Sequence, residues 1–431
     1  MRAILVFVAV IAAGGCAFVD GLSGIEVERA YRSRYSIDIL WTAQLPVEQG
    51  LKVREMWLGV VPSDLQYHWF PAGEASEPLF AGEDLLVGTS SGVFRAYEAE
   101  TGKRRWSVDP GIGPLAGRAG VAGETVVTGS LAGWVAGLDR KSGETRWKFQ
   151  VNAPVNGRIV VHENRAFVPV VDGSLYAVDI EQGDVLWTLP GEALLDGRPT
   201  VRGAAGVTLT GFDQLVYGRW DARVVAVQAS TGKVLWSREL AKRGIAGRGI
   251  DLYDTDFHMG NYLGSSYFTT ASRLIGRIRD DDGIVLWQKD FKATSGAAVD
   301  PAAGIVAAGN QNGELKAWSL DGTERWLAEP FRFRPCGKWD YFKMFFIWSL
   351  DCNQRPDGIF GQPVVIEGLI AVPRSNGDIR FYDPETGQLV STREARGALW
   401  GYLGSDLERG LLAVVDNKGT LYVIRVSRAG R

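Results

Sequence analysis

The stretch AFVPVVDGSLYAVDIEQGDVLW, residues 166–187, contains the pattern that decides the fold. An apolar run comes first, a turn at Asp172-Gly173 follows, and the next residues alternate between polar and apolar side chains. A second turn, which ends at Gly183, precedes a short run with Trp187. Asp-Gly between such runs is a strong hairpin signal, because a type I′ turn needs positive φ at both central residues. The stretch therefore predicts consecutive antiparallel β-strands.

The same unit recurs along most of the chain. The glycine and tryptophan pairs that mark it are Gly102 and Trp106, Gly143 and Trp147, Gly183 and Trp187, Gly232 and Trp236, Gly283 and Trp287, and Gly322 and Trp326. Successive tryptophans are about 40–50 residues apart, a period that is typical of propellers and solenoids. Each unit has the size of one four-stranded blade. We expect each tryptophan to pack between adjacent blades, with its indole N–H satisfied near the edge.

The two ends of the chain supply complementary parts of one further unit. Residues 39–45 match the tryptophan strand at 234–240, but no hairpin precedes them. Residues 411–426 supply the earlier strands of a unit and end without a tryptophan strand. We therefore expect the N-terminal strand to complete the last blade, which removes the sheet edges that an open ring would expose.

The number of units predicts eight blades. A seventh unit spans 361–391, with Val390 at the expected position of the tryptophan. Seven complete units and one composite unit predict an all-β fold, an eight-bladed propeller of four-stranded antiparallel blades. We expect the propeller to cover residues 38–426 and a short tail to follow at 427–431.

The first residues have the pattern of a bacterial lipoprotein signal. Arg2 is followed by an apolar core of about eleven residues, too short to span a bilayer as a helix. Ala13-Gly14-Gly15-Cys16 resembles a lipobox, which implies cleavage before Cys16 and lipidation of that residue. The prediction is a signal peptide over 1–15 and a lipidated tether over 16–37, with a plain secretory signal as the alternative. Ala17 is not the Asp of an inner-membrane retention signal, so we expect the periplasmic face of the outer membrane.

The two remaining cysteines, Cys336 and Cys352, form an even pair, as a disulfide in an oxidising compartment would. A bond between them would close a loop of about 17 residues and contribute about 3 kcal/mol in the chain-entropy model. They lie within an aromatic insertion, residues 331–360, that lengthens the seventh unit. Two interpretations stay open: the aromatic side chains form an exposed docking patch, or they form a small core against one face of the ring.

No pattern in the chain predicts a catalytic, metal or nucleic-acid site. The net charge is −3, from 47 basic and 50 acidic residues, and no basic run suggests nucleic-acid binding. The three histidines lie in different units, and no His/Cys spacing fits zinc. Asp280-Asp281-Asp282-Gly283 is similar to a calcium-ligand cluster, but it occupies the turn position of the repeat, where a solvated turn is expected. We therefore expect a non-enzyme without a cofactor.

The core of the repeat, from Tyr176-Ala177-Val178-Asp179 to Trp187, resembles that of the quinoprotein-alcohol-dehydrogenase-like propellers. Dehydrogenases of this superfamily hold pyrroloquinoline quinone and Ca²⁺ on the axis, many beside a vicinal disulfide, and this chain has no adjacent cysteines. The BamB family of outer-membrane assembly lipoproteins is similar in its lipobox, tether, eight blades and N-terminal closure. This resemblance covers residues 38–426.

Two segments resemble the loops that form a partner surface in the BamB family. Residues 249–256 are similar to the family's Ile-Asp-x-Leu-Ser-Asp-Val-Asp loop, and 193–197 lie where the family has Leu-Ser-Leu-Arg-Gly. The resemblance implies that these loops grip a POTRA domain of the barrel insertase BamA. The residues carried over for this contact are Leu194, Leu195, Asp196, Asp254 and Asp256. Asp196 replaces the family's arginine, so an ion pair there would have the opposite sign. The alternatives are an interblade turn for the acidic loop and strand packing for the two leucines.

The function that the resemblance implies is a non-enzymatic, lipid-anchored scaffold of the outer-membrane barrel-assembly complex. Its partners would be the insertase and, at exposed strand edges, nascent outer-membrane proteins. Two alternatives stay open: an adaptor of another envelope complex that uses the aromatic insertion, and a reduced quinone-dependent periplasmic dehydrogenase.

Overall fold

The computed structural model describes residues 34–46, 76–191, 206–211, 213–219, 223–240, 259–270, 274–328 and 358–428. The regular structure in these ranges consists of 32 strands in eight four-stranded sheets. Hydrogen-bonded neighbours within each sheet run antiparallel, so the predicted all-β, eight-bladed propeller is confirmed. No helix in the described ranges is long and apolar enough to cross a membrane.

The first four blades follow the chain without a crossover. Blade 1 contains β2 (Leu79–Ala81), β3 (Asp84–Gly88), β4 (Phe94–Glu98) and β5 (Arg104–Val108). Blade 2 contains β6 (Gly120–Ala122), β7 (Thr125–Gly129), β8 (Trp134–Asp139) and β9 (Thr145–Gln150). Blade 3 contains β10 (Val160–His162), β11 (Arg165–Pro169), β12 (Leu175–Asp179) and β13 (Val185–Leu189). Blade 4 contains β14 (Val207–Gly211), β15 (Gln214–Gly218), β16 (Arg223–Gln228) and β17 (Val234–Glu239).

The next three blades repeat this order, and the eighth joins the two chain ends. Blade 5 contains β18 (Gly260–Tyr262), β19 (Ser265–Thr269), β20 (Leu274–Arg279) and β21 (Val285–Asp290). Blade 6 contains β22 (Ala298–Asp300), β23 (Ile305–Gly309), β24 (Leu315–Ser319) and β25 (Glu324–Ala328). Blade 7 contains β26 (Val364–Ile366), β27 (Leu369–Pro373), β28 (Asp378–Tyr382) and β29 (Leu389–Glu394). Blade 8 contains β30 (Gly404–Asp406), β31 (Leu411–Val415), β32 (Thr420–Arg428) and β1 (Tyr35–Gln44).

The closing strand pairs along almost its full length with the last strand of the chain. The register runs from Tyr35 opposite Arg428 to Gln44 opposite Thr420. Leu45 continues the contact, because its backbone N–H donates to Gly419 O at 2.8 Å. The pairing that the chain ends predict is therefore present. Both strands extend slightly beyond the expected limits of 38–426.

The order of strands defines an axis, a rim and two faces. First strands of successive blades contact one another, as β6 and β10 do, so they surround the axis. Fourth strands such as β17 are largely exposed at the rim, whereas second strands such as β3 are fully buried. Because strands alternate in direction, the links between blades lie on the same face as the turns between second and third strands. We call this side the connection face and the opposite side the turn face.

Tryptophans on fourth strands lock each blade to the next one. Each indole Nε1–H donates to a backbone carbonyl of the following blade, at 2.7–3.0 Å, and the donors are Trp41, Trp106, Trp147, Trp187, Trp236, Trp287 and Trp326. The ring lies against a glycine in the turn before that blade's fourth strand. These glycines are Gly102, Gly143, Gly183, Gly232, Gly283, Gly322 and Gly387, all with positive φ. The predicted packing between blades is confirmed, but each glycine contacts the tryptophan of the preceding unit, not of its own.

The junction between blades 7 and 8 is built differently. The sequence analysis places Val390 at the tryptophan position, and this is wrong. The strand register puts Ser391 there, which is also four residues after Gly387, as in the other units. Ser391 lies opposite Phe381, as Trp187 lies opposite Ala177 in blade 3. In blade 7 the large residue, Phe381, is on the third strand and the small residue, Ser391, is on the fourth, the reverse of blade 3. The Phe381 ring is fully buried.

The reason for this exchange lies in the composite eighth blade. Its third and fourth strands come from opposite ends of the chain, so no turn joins them and no turn glycine can receive a tryptophan. Arg393 bridges the junction instead, and its Nε donates to Ile37 O at 2.8 Å. Phe381, Val390 and Ile37 belong to one apolar cluster beside it.

Candidate functional site

The residues that the sequence analysis selected lie outside the described residues. They are Cys16, Leu194, Leu195, Asp196, Asp254, Asp256, Cys336 and Cys352. Lipidation, partner contact and the disulfide therefore stay predictions. The strands on either side of these segments nevertheless define their position in the chain topology.

Each of the three selected internal segments links one blade to the next. Residues 192–205 join β13 to β14, and 241–258 join β17 to β18. Residues 329–357 join β25 to β26. All three links start from a fourth strand and end at a first strand, so their attachment points lie on the connection face. The first two belong to adjacent junctions, between blades 3 and 4 and between blades 4 and 5.

The rim of blades 3 and 4, from which the first two links depart, is apolar near the turn face. Exposed pairs precede the tryptophan on β13 and β17, namely Val185 with Leu186 and Val234 with Leu235. In blade 1 the same two positions are Arg104 and Arg105. The fourth strand of each described sheet is hydrogen-bonded along one side only. Within the part of the chain that the structure describes, the rim of blades 3 and 4 thus combines unpaired strand edges with apolar side chains.

The acidic turn of blade 5 does not have the arrangement of a calcium site. Arg279 already contacts two of its carboxylates: Nε lies 3.0 Å from Asp281 Oδ1 and donates to Asp282 Oδ1 at 2.9 Å. The Arg279 hydrogen bond lowers the pKa of Asp282 to about 2. Both carboxylates lie on the surface, in agreement with a solvated turn.

Asp280 departs from that expectation, because it is buried. Its carboxylate accepts hydrogen bonds from Ser266 Oγ at 2.7 Å and from Asn261 Nδ2 at 2.8 Å. Its backbone carbonyl accepts the indole N–H of Trp236. Burial raises the pKa of Asp280. This residue therefore belongs to the packing between blades 4 and 5, and the prediction of a solvated turn is wrong for it.

A charged cluster on the axis was missed by the sequence reasoning. Glu77, Arg118 and Arg158 each lie two residues before the first strand of blades 1, 2 and 3. Arg158 Nε donates to Glu77 Oε2, and Arg118 Nη1 lies 3.6 Å from Glu77 Oε1. The available signal was the repeated Gly-Arg dipeptide before two first strands. We call these three residues the axial triad.

The axial residues do not fit the calcium-quinone centre of the dehydrogenases. Ca²⁺ takes six to eight oxygen ligands, several of them carboxylates. Glu77 is the carboxylate of the axial triad, and its oxygens already face two guanidinium groups. Among the described residues, no group of three or more His, Cys, Asp or Glu side chains could hold a metal ion.

Comparisons with known proteins agree with the eight-bladed propeller fold. The family model described as outer membrane protein assembly factor BamB matches residues 71–252. BamB of Yersinia pestis is 23% identical over 398 residues, which cover 89% of this chain and 92% of the relative. Quinoprotein ethanol dehydrogenase of Pseudomonas aeruginosa is 29% identical over 195 residues, only 40% of this chain and 30% of that enzyme. The crystal structure of BamB from Moraxella catarrhalis superposes with a TM-score of 0.70 at 17% identity, covering 90% of this chain and 100% of that one.

The fold and its repeat define a closed eight-bladed propeller. Within that class, the family model and the relative that matches nearly the whole chain confirm the resemblance to BamB-like outer-membrane assembly factors. The solved structure confirms the fold.

Proposed function

We propose that this chain is a non-enzymatic scaffold subunit of the complex that assembles β-barrel proteins in the outer membrane. The observation that carries the proposal is the match to a BamB assembly factor over 89% of the chain, whereas the dehydrogenase match covers 40%. A closed ring suits a positional role, because paired strands and interlocked junctions hold its blades in fixed relative positions.

The proposed partner surface lies on the connection face at blades 3 to 5. Leu194, Leu195 and Asp196 are on the link between blades 3 and 4, and Asp254 and Asp256 are on the next link. Because the two links belong to adjacent junctions, one small domain could contact both. The proposed partner is a POTRA domain of a BamA-like insertase. Because the residue at position 196 is acidic, we expect a basic residue opposite it on that partner.

The apolar rim of blades 3 and 4 gives the scaffold a second proposed contact. An extended segment can add to an exposed strand edge through main-chain hydrogen bonds, with its side chains contacting those of the edge strand. Nascent outer-membrane proteins are rich in alternating apolar strands and fit this chemistry. Leu186 and Leu235 would meet such a strand.

The proposed location is the periplasmic face of the outer membrane, with Cys16 carrying the lipid anchor. Several acyl chains at about 0.8 kcal/mol per buried methylene hold a protein on a membrane essentially permanently. Mass measurement of the mature protein tests this assignment, because Cys16→Ser removes the acyl mass. The same preparation tests the Cys336–Cys352 disulfide, since reduction adds two hydrogens only where the bond exists.

The proposed partner surface is tested by recovery of the insertase with the scaffold from membranes. Asp254→Arg combined with Asp256→Arg reverses the charge at both acidic positions of the proposed surface, and we expect at least a tenfold loss of recovery. The matched control is Glu124→Arg with Glu144→Arg, two exposed acidic residues on the turn face of blade 2. Undiminished recovery of the insertase with the first variant contradicts the surface assignment. Consistent recovery of a different envelope protein supports the adaptor alternative.

A further inference from the structure

The axial triad lies at the mouth of the propeller axis on the connection face. Its three residues immediately precede first strands, which surround the axis and begin on that face. The Arg158 guanidinium also lies over the ring of Tyr402 in blade 8, 5.1 Å from its centroid. Side chains from blades 1, 2, 3 and 8 therefore converge at this point.

The triad has more positive charge than its own carboxylate can neutralise. Glu77 is almost completely buried, with 3% of its surface exposed, and it faces both guanidinium groups. Arg158 has the short contact with Glu77, and Arg118 stands farther away, at 3.6 Å. One carboxylate between two guanidinium groups leaves a net positive charge.

Arg118 is the member of the axial triad with a donor that has no acceptor among the described residues. Its 3.6 Å approach to Glu77 exceeds ordinary hydrogen-bond length, and its Nε is buried without an acceptor among the described residues. Burial lowers the pKa of Arg118, Glu77 opposes this shift, and Arg158 adds to it. Yet 29% of the Arg118 side chain is exposed, so solvent reaches part of it.

Closure of the ring does not require a charged residue two positions before each first strand. The corresponding residues of blades 6, 7 and 8 are Gly296, Gln362 and Tyr402, all uncharged. Gln362 meets the neighbouring blade through a neutral hydrogen bond, with its Nε2 donating to Ala297 O at 2.7 Å. The two arginines thus add a feature beyond the packing of the repeat.

We propose that Arg118 and Arg158 form an oxyanion-binding site at the mouth of the axis, which accepts one further anionic group beside Glu77. A planar guanidinium with free donors matches a carboxylate, sulfate or phosphate group. Two sources share this chemistry: a free inorganic anion and a carboxylate of a protein docked on the connection face. Only the second source rests on the proposed function.

The proposal is tested by measuring anion binding to the purified full chain, with thermal unfolding as the readout. Sodium sulfate is compared with sodium chloride at equal ionic strength, and we expect a saturable rise in Tm with sulfate. Arg118→Gln should weaken sulfate binding about tenfold or more, because it removes a charge-assisted contact. Glu77→Gln should strengthen binding about tenfold, because it removes the competing carboxylate. Arg118→Lys, which retains the charge, should lie between the wild type and Arg118→Gln.

The control variant is Arg425→Gln, which removes an exposed arginine paired with Glu100 and should leave sulfate binding unchanged. A short glutamate-containing peptide tests the carboxylate source: competition with sulfate favours a docked protein, and its absence favours a free inorganic anion. The same sulfate response in the wild type, Arg118→Gln and Glu77→Gln would overturn the proposal. None of these measurements needs the insertase, so their failure is distinguishable from failure of the proposed function.

Discussion

The seven junctions with a tryptophan and the single junction without one use different means to join neighbouring blades. At the seven, an indole ring lies on a turn glycine and donates to a carbonyl of the next blade. Between blades 7 and 8, Phe381 fills the space from the adjacent strand and Arg393 donates to Ile37. The difference follows from closure, because a blade built from both chain ends has no turn to receive a tryptophan. The contact that repeats is therefore between a residue of one unit and a turn of the next.

The largest effect is expected from removing one tryptophan. Trp106→Ala deletes a ring that is stacked near Phe94 and hydrogen-bonded to Arg140 O at 2.9 Å. We expect a loss of about 3–5 kcal/mol in the free energy of unfolding, measured by urea denaturation. Ser391→Ala, at the corresponding position of blade 7, removes a hydrogen bond from Arg393 Nη1 at 2.9 Å and should cost only about 1 kcal/mol. Equal losses in both variants would remove the distinction between the junctions.

The glycine on the other side of the contact gives the next effect. A Cβ at Gly143 would lie 2.7 Å from the Trp106 ring, and φ there is +79°. Gly304 is the matched control, with φ of +66° and no neighbouring atom within 4 Å of the place that a Cβ would occupy. We expect Gly304→Ala to cost about 1–2 kcal/mol for backbone strain alone. Gly143→Ala should cost about 1–3 kcal/mol more, because the ring must shift. Equal costs would show that the glycine is required for its backbone conformation only.

Introducing a tryptophan at the exceptional junction should not stabilise it. Ser391→Trp would face the buried Phe381 ring without a glycine turn in blade 8 to receive the indole. We expect a loss of about 1–3 kcal/mol from overpacking, measured by the same denaturation experiment. Adding Phe381→Ala, which restores the pairing seen in blade 3, should recover part of that loss. A gain in stability from Ser391→Trp alone would contradict our explanation of the missing tryptophan.

The smallest effect concerns the junction between blades 4 and 5, where Asp280 is buried beside the Trp236 contact. Burial raises its pKa above 3.8, so the folded state holds this proton more tightly than the unfolded chain. Its contribution to stability is greatest below pH 3.8 and is lost as the pH rises through the raised value. We expect the wild type to lose stability relative to Asp280→Asn across that interval, followed as unfolding free energy against pH. If the unfolding free energies of the two proteins changed with pH in parallel, the predicted contribution of Asp280 ionisation would be excluded.

Much of the fold could be predicted from local sequence, because each unit contains its own turns and its own tryptophan. The match between residues 39–45 and 234–240 was enough to predict closure. The exchange of Phe381 and Ser391 was not predictable in this way, because it depends on which residues face each other across two strands. Counting four residues from Gly387, as in the other units, gives Ser391, but only the register shows that Phe381 faces it.

The candidate site was predictable only in part, for a similar reason. A resemblance can select Asp196 or Asp254, since such residues lie in segments that align by sequence. The axial triad depends on three blades that bring Glu77, Arg118 and Arg158 together at the axis. Their separations in the chain carry no information about that proximity. Only the repeated position before each first strand relates them.

The central claim is that a rigid, closed ring presents its connection face to the barrel insertase. The most direct measurement is photo-crosslinking in intact cells from a probe at position 196, followed by mass spectrometry of the captured protein. A probe at Lys141, on the turn face of blade 2, is the control. We predict that position 196 captures the insertase and that position 141 does not. Capture of the insertase from neither position, or equally from both, would contradict the account.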